Sequence, residues 1–200
     1  TQSRSSAASD VYKRQVEDGT MIEVKVDKAK KNTIGIIHLF HGMAEHMDRY
    51  DELVNALNIQ GYDVLRHNHR GHGKDIDEVE RGHFESMSQI ADDAYEIVET
   101  LYGTELKVPY VVLGHSMGSI IARLFVMRYP EFADGLILTG TGMFPKWKGV
   151  PATFALKLIT MILGKRRRVN WVNKLVNKSF NKRISNPLTE SDWILSLIHI

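Results

Sequence analysis

A chain of 200 residues with 43% hydrophobic and 25% charged content has the composition of an ordinary globular protein with one sizeable core, which excludes disorder as its default state. It holds no cysteine, so disulfide frameworks and thiolate chemistry are excluded. A formal charge of +2 gives no global reason to expect nucleic acid as a partner, although Lys165, Arg166, Arg167 and Arg168 form a local basic run.

The opening TQSRSSAASD lacks the apolar stretch of a secretory leader. The longest apolar run, Thr153 to Leu163, falls well short of the ~20 residues that span a bilayer. A cytoplasmic protein without a transmembrane helix is therefore expected. Residues 5–15 (SSAASDVYKRQ) and 195–200 (LSLIHI) resemble translated sequencing adapters. We accordingly expect 1–15 to be a non-native leader and 195–200 a non-native tail, the chain stopping where the sequencing read stopped.

Between these ends, apolar runs bounded by Gly, Pro or Asn predict strands at Met21 to Val26, Ile34 to Phe40, Tyr62 to Arg66, Tyr110 to Leu113 and Leu136 to Leu138. Helical spacing appears between them: Tyr50, Leu53, Val54 and Leu57; then Ile90, Ala94, Ile97, Val98 and Leu101; then Ile120, Ile121, Leu124, Phe125 and Val126. Strands alternating with helices predict an α/β fold with a mostly parallel sheet covered on both faces. Ligands of such sheets bind beyond the carboxyl ends of the strands, so the loops after Phe40, Arg66, Leu113 and Leu138 are the places to seek chemistry. From Met143 the alternation gives way to helical, Lys/Arg-rich sequence, expected to form a helical cap over the sheet. The predicted organisation is a core over 16–142 and a cap over 143–194.

Gly114-His115-Ser116-Met117-Gly118 fits G-x-S-x-G, follows a predicted strand and opens a predicted helix. That context is what a nucleophile elbow requires: small residues two positions either side of the serine let strand and helix close up while Oγ is pushed outward. A plain Gly/Ser turn is the competing reading. A serine nucleophile also needs two N–H donors aimed at the developing oxyanion, each contributing about 3 to 4 kcal/mol. Met117, next after the serine, supplies one. His41-Gly42-Met43, at the end of an early predicted strand, is placed to supply the other through Met43 N–H; an ordinary strand-to-helix turn is the alternative. His115 is expected to be a turn residue pointing away from the site.

At this point the sequence resembles a known family. HGMAEHMDRYDEL (41–53), HNHRGHGKD (67–75), GHF (82–84) and GHSMGS (114–119) are similar to the monoacylglycerol lipase and lysophospholipase group of α/β-hydrolases, also catalogued as serine aminopeptidase S33. The resemblance covers about Val16 to Gly142, with the helical part as its cap. It implies a cofactor-free serine ester hydrolase working through an acyl-enzyme on a small-molecule lipid ester, with Ser116 as nucleophile and Met43 and Met117 as oxyanion donors. It also implies an acid and then a histidine base after the cap. The chain ends before such residues, so the 200 residues are expected to be inactive, Ser116 lacking a base to take its proton.

His67-Asn68-His69-Arg70-Gly71-His72 has the H-x-H-x-x-H spacing of metallo-β-lactamase-like hydrolases, which makes a metal site at His67, His69 and His72 the runner-up. Gly71 stands where those enzymes place a metal-binding Asp, and the resemblance accounts for the same residues without a metal. Glu45, His46, Arg49, Arg70 and His72 are read as structural loop residues beside the site. A third possibility is a non-catalytic binding protein that kept the fold. The apolar segment from Thr153 to Leu163 leaves two readings open: a lid that contacts an acyl chain or a membrane surface with its basic run, or a buried cap helix.

Overall fold

The protein is described from a computed structural model, which covers residues 9–74, 76–141, 153–154, 157–162, 164, 174 and 178. The chain falls into two compact units divided after Gly142.

The first unit is built on a six-stranded sheet in the order β1-β2-β4-β3-β5-β6. Its strands are β1 (Ser9–Gln15), β2 (Met21–Asp27), β3 (Gly35–Phe40), β4 (Tyr62–His67), β5 (Tyr110–His115) and β6 (Gly135–Thr139). β4, β3, β5 and β6 run parallel, while β1 pairs antiparallel with β2 and β2 antiparallel with β4. A mostly parallel sheet with flanking helices is the α/β fold predicted from the sequence pattern, and it agrees with the α/β-hydrolase architecture that the resemblance implies. The helices α1 (Asp51–Gln60), α2 (Met87–Tyr102) and α3 (Met117–Arg128) follow β3, β4 and β5. All five predicted strands and all three helices are present, each with bounds within three residues of those expected.

Burial explains why these segments were readable. Every residue of β3 is buried, as a central parallel strand covered on both faces demands. On one face Ile36 and Phe40 pack with Ile90, Ala94 and Ile97 of α2 and Ile121 and Phe125 of α3. On the other, Ile37 and Leu39 meet Val54 and Leu57 of α1. Local signals set the helix ends. Ser86 caps α2 by accepting the Gln89 N–H at 3.1 Å, and α1 stops at Gly61, whose φ of 103° terminates it.

β1 is the strand that the sequence reading did not place. It falls in the segment expected to be a foreign leader, yet Ser9 to Gln15 pair residue for residue with Asp27 to Met21. Asp10 to Lys13 are exposed, so the strand is held by its backbone ladder and carries no burial pattern for a periodicity argument to find.

In the second unit, residues 153–154 and 157–162 are helical, and Phe154, Leu158, Met161 and Ile162 are exposed. The basic run at 165–168 and the expected tail at 195–200 lie outside the described residues. Among the described residues no helix is long and apolar enough to cross a membrane.

Candidate active site

The carboxyl ends of β3, β4 and β5 bring together three of the four loops singled out in the sequence. Ser116 occupies the turn between β5 and α3 with φ 53° and ψ −116°. A non-glycine residue at positive φ costs of order 1–3 kcal/mol and persists only where its surroundings over-determine it. Here they do. Ser116 N–H donates to the Thr139 carbonyl of β6 at 2.9 Å, and the Ser116 carbonyl accepts from Ser119 N–H at 3.0 Å and Ser119 Oγ–H at 2.6 Å.

The flanking glycines are required by contact. A Cβ on Gly118 would run into the Phe40 carbonyl and come within 2.6 Å of the His41 oxygen, and one on Gly114 would stand 2.7 Å from the Gly118 carbonyl carbon. The first turn of α3 thus presses on the end of β3, which locks the elbow to the His41 loop. His115 Nδ1 lies 2.9 Å from Thr139 Oγ1, and its ring centroid is 6.4 Å from that of Tyr50.

The loop after β3 wraps against the serine. A Cβ on Gly42 would lie 3.3 Å from Ser116 Cβ, so glycine allows the loop to approach this closely. Gly42 N–H donates to the Glu45 carboxylate, which also accepts from Tyr50 O–H at 2.8 Å and pairs with Arg49 at 3.2 Å. Burial, with the Glu45 charge beside it, pushes the Tyr50 hydroxyl well above the usual phenol range, so it remains a donor. Met43 follows at the exposed tip, and Ala44 turns the chain at φ 60°. Glu45, set aside in the sequence reading as a structural loop residue, is the clasp of this loop.

His67, His69 and His72 do not converge as metal ligands. His67 Nδ1 lies 3.0 Å from His38 Nε2 and His67 Nε2 lies 3.1 Å from His69 Nδ1, while His69 Nε2 donates to the His41 carbonyl at 3.1 Å. His72 Nδ1 turns away and donates to the Arg70 carbonyl at 2.9 Å. Both ring nitrogens of His67 and of His69 are spent on these hydrogen bonds, and among the described residues no group of three His, Asp or Glu side chains is arranged to hold a metal ion. The spacing that suggested a metal serves a buried histidine string. Burial pulls the imidazoles of His67 and His69 well below the ordinary range, and those of His38 and His41 down to about 3. Sequence reasoning missed His38 because it stands alone in the apolar run of β3, at the same face as Ile36 and Phe40.

Arg70 forms a fork with Asp93 of α2 at 2.5 and 2.6 Å and reaches Asp18 at 2.5 Å. Asn68 ties β2 to the loop before α1 by accepting from Met47 N–H at 2.9 Å and donating to Glu23 at 2.7 Å.

The family described as serine aminopeptidase S33 matches residues 31–192. The chain belongs to that family. Its curated relatives include monoglyceride lipases and lysophospholipases. Mouse (Mus musculus) monoglyceride lipase is 31% identical over 150 residues, covering 73% of this chain and 48% of that protein. The monoacylglycerol lipase of Mycolicibacterium smegmatis is 33% identical over 106 residues, covering 53% and 37% respectively. The chain therefore spans about half the length, or less, of these curated relatives. Among solved structures, a thermostable carboxyl esterase from Bacillus coagulans, crystallised with glycerol, superposes with a TM-score of 0.76 at 29% identity, covering 94% of this chain and 61% of its own.

Proposed function

We propose that the protein carrying this chain is a serine hydrolase that cleaves the carboxylic ester of a monoacyl lipid, a monoacylglycerol or a lysophospholipid, with Ser116 as nucleophile. The observation that carries this reading is the backbone of Ser116: a strained turn at the carboxyl end of a central strand, pinned on both sides, with the Gly42 loop against its Cβ. Strain held at one serine among the described residues of the sheet has a use where Oγ must be presented to a substrate.

In this reading Ser116 Oγ attacks the ester carbonyl as its proton passes to a base. The carbonyl oxygen becomes an oxyanion that accepts from Met117 N–H and Met43 N–H. Met117 opens α3, and the first N–H groups of a helix lack intrahelical acceptors and sit at its positive end. Collapse expels the glycerol or headgroup alcohol and leaves an acyl-serine, which water hydrolyses by the reverse sequence. His38, His41, His67 and His69 spend both ring nitrogens on one another, on Tyr110 and on main-chain groups, and we assign the base and its acid partner to positions outside the described residues. Without that base Ser116 stays un-ionised, and we expect the 200 residues alone to show no turnover. Reaction and binding call for no cofactor. The exposed Phe154, Leu158, Met161 and Ile162 support an acyl-chain or membrane-surface contact for the second unit.

The test is hydrolysis by the intact protein of a monoacylglycerol, a lysophosphatidylcholine, a short p-nitrophenyl ester and an aminoacyl anilide, alongside Ser116→Ala. Turnover of the monoacyl lipids that disappears in Ser116→Ala is expected. Preference for the anilide would reassign the substrate to peptides, and an active Ser116→Ala would remove the nucleophile assignment.

A further inference from the structure

The buried histidines form a continuous line. It runs from Tyr110 Oη on β5 to His38 Nδ1 on β3 at 2.5 Å, from His38 Nε2 to His67 Nδ1 at 3.0 Å, from His67 Nε2 to His69 Nδ1 at 3.1 Å, and from His69 Nε2 to the His41 main-chain carbonyl at 3.1 Å. All four imidazoles and Tyr110 are fully or almost fully buried.

The last member dictates the rest. A carbonyl oxygen only accepts, so His69 Nε2 carries a hydrogen. A neutral imidazole has one donor and one acceptor, so His69 Nδ1 accepts from His67 Nε2–H, His67 Nδ1 accepts from His38 Nε2–H, and His38 Nδ1 accepts from Tyr110 O–H. Neutrality follows from burial, which penalises the imidazolium at each position. His41 takes the opposite tautomer. Its Nδ1–H donates to the Gly42 carbonyl at 2.7 Å, and its Nε2 accepts from the His69 backbone N–H at 3.0 Å.

These bonds end on two consecutive carbonyls, His41 and Gly42. In a planar trans peptide the N–H points opposite to the C=O, so holding a carbonyl also aims the N–H that follows it. Holding the His41 oxygen directs Gly42 N–H to the other side, where it meets Glu45. Holding the Gly42 oxygen directs Met43 N–H in the same manner.

We propose that these side chains are positioning residues: the one-directional chain from Tyr110 through His38, His67 and His69 fixes the peptide plane between His41 and Gly42, and the His41 ring fixes the plane between Gly42 and Met43, which together aim Met43 N–H at the oxyanion. The proposal rests on the reading of Met43 as an oxyanion donor. It gives the polar line a purpose that packing does not, because apolar residues would fill the same space without leaving ring nitrogens to satisfy.

Two measurements test it. In the intact protein with 15N-labelled histidine, NMR should find the hydrogen on Nε2 of His38, His67 and His69 and on Nδ1 of His41; a Nδ1–H tautomer at any of the first three breaks the chain and overturns the proposal whatever the activity. The second compares His41→Asn, whose amide keeps a donor near the Nδ1 position, with His41→Gln, whose amide reaches only the Nε2 position. His41→Gln should lower kcat by about 10²-fold, the scale of losing one oxyanion donor, with KM changed less than about threefold, and His41→Asn should recover about tenfold of that loss. Equal kcat values in the two variants would overturn the aiming role. Activity surviving in Ser116→Ala would instead strike the nucleophile assignment, and the proton positions would still decide the chain.

Discussion

Lowering the pH from about 7.5 to about 5.5 is expected to remove on the order of 5 kcal/mol of folding stability, far more than a histidine-poor domain would lose. Burial holds His38 and His41 down to about 3, and His67 and His69 well below the usual range, while in the unfolded chain all four titrate near 6.5. Below about pH 6.5 the unfolded chain takes up protons that the native state refuses, so this stability is complete above that pH and is lost as the pH falls toward 3. One unit below 6.5, each such imidazole costs about 1.4 kcal/mol, and four together cost about 5 kcal/mol. A whole domain is stable by only about 5–15 kcal/mol. Asp48, whose burial is outweighed by Lys25 and Lys74, is held at about 2 and lies below this window. Urea denaturation at several pH values across this range, at constant ionic strength, gives the slope directly. A difference under about 1 kcal/mol between the two ends would show that these imidazoles are not buried and neutral, and would remove the basis of the tautomer argument as well.

Two substitutions probe the scaffold around the serine. Arg70→Met should destabilise by about 3–5 kcal/mol in thermal or urea unfolding, because it strands Asp93, which is 2% exposed and whose carboxyl burial already pushes up despite the guanidinium. Adding Asp93→Asn should recover much of that loss, and a single-variant cost under about 1 kcal/mol would refute the pairing. Gly118→Ala sets a methyl against the Phe40 and His41 carbonyls; it should cost at least about 1–3 kcal/mol and lower kcat with it, and a variant of unchanged stability and activity would mean that the helix start is not pressed on β3.

What was legible in the sequence followed burial. The run Ile34 to Phe40 announced a central strand because both of its faces are covered, and Ile90, Ala94, Ile97 and Val98 announced α2 because one stripe is. The elbow was legible because its glycines answer to contacts that any such turn imposes. β1 was not, since Asp10 to Lys13 are exposed and its pairing uses main-chain groups common to every residue. The histidines were misread in part for a related reason: H-x-H-x-x-H reports spacing along the chain, while the partners that consume the ring nitrogens, His38 and the His41 carbonyl, lie 29 and 28 residues away. The Arg70 fork to Asp93 spans 23 residues and was likewise beyond any local pattern.

The strand order also sets a schedule for synthesis. β3 leaves the ribosome before either strand that will flank it, β4 and then β5, and must wait for about residue 115 before both of its edges are paired. Until then IGIIHLF is an exposed, β-prone stretch of the kind that seeds aggregation. His38 interrupts it. The same imidazole that ends up dry and neutral in the finished sheet is, in the nascent chain, a hydrated polar group at the centre of its most adhesive segment, and replacing it with leucine would lengthen that segment during the interval in which the protein is least protected.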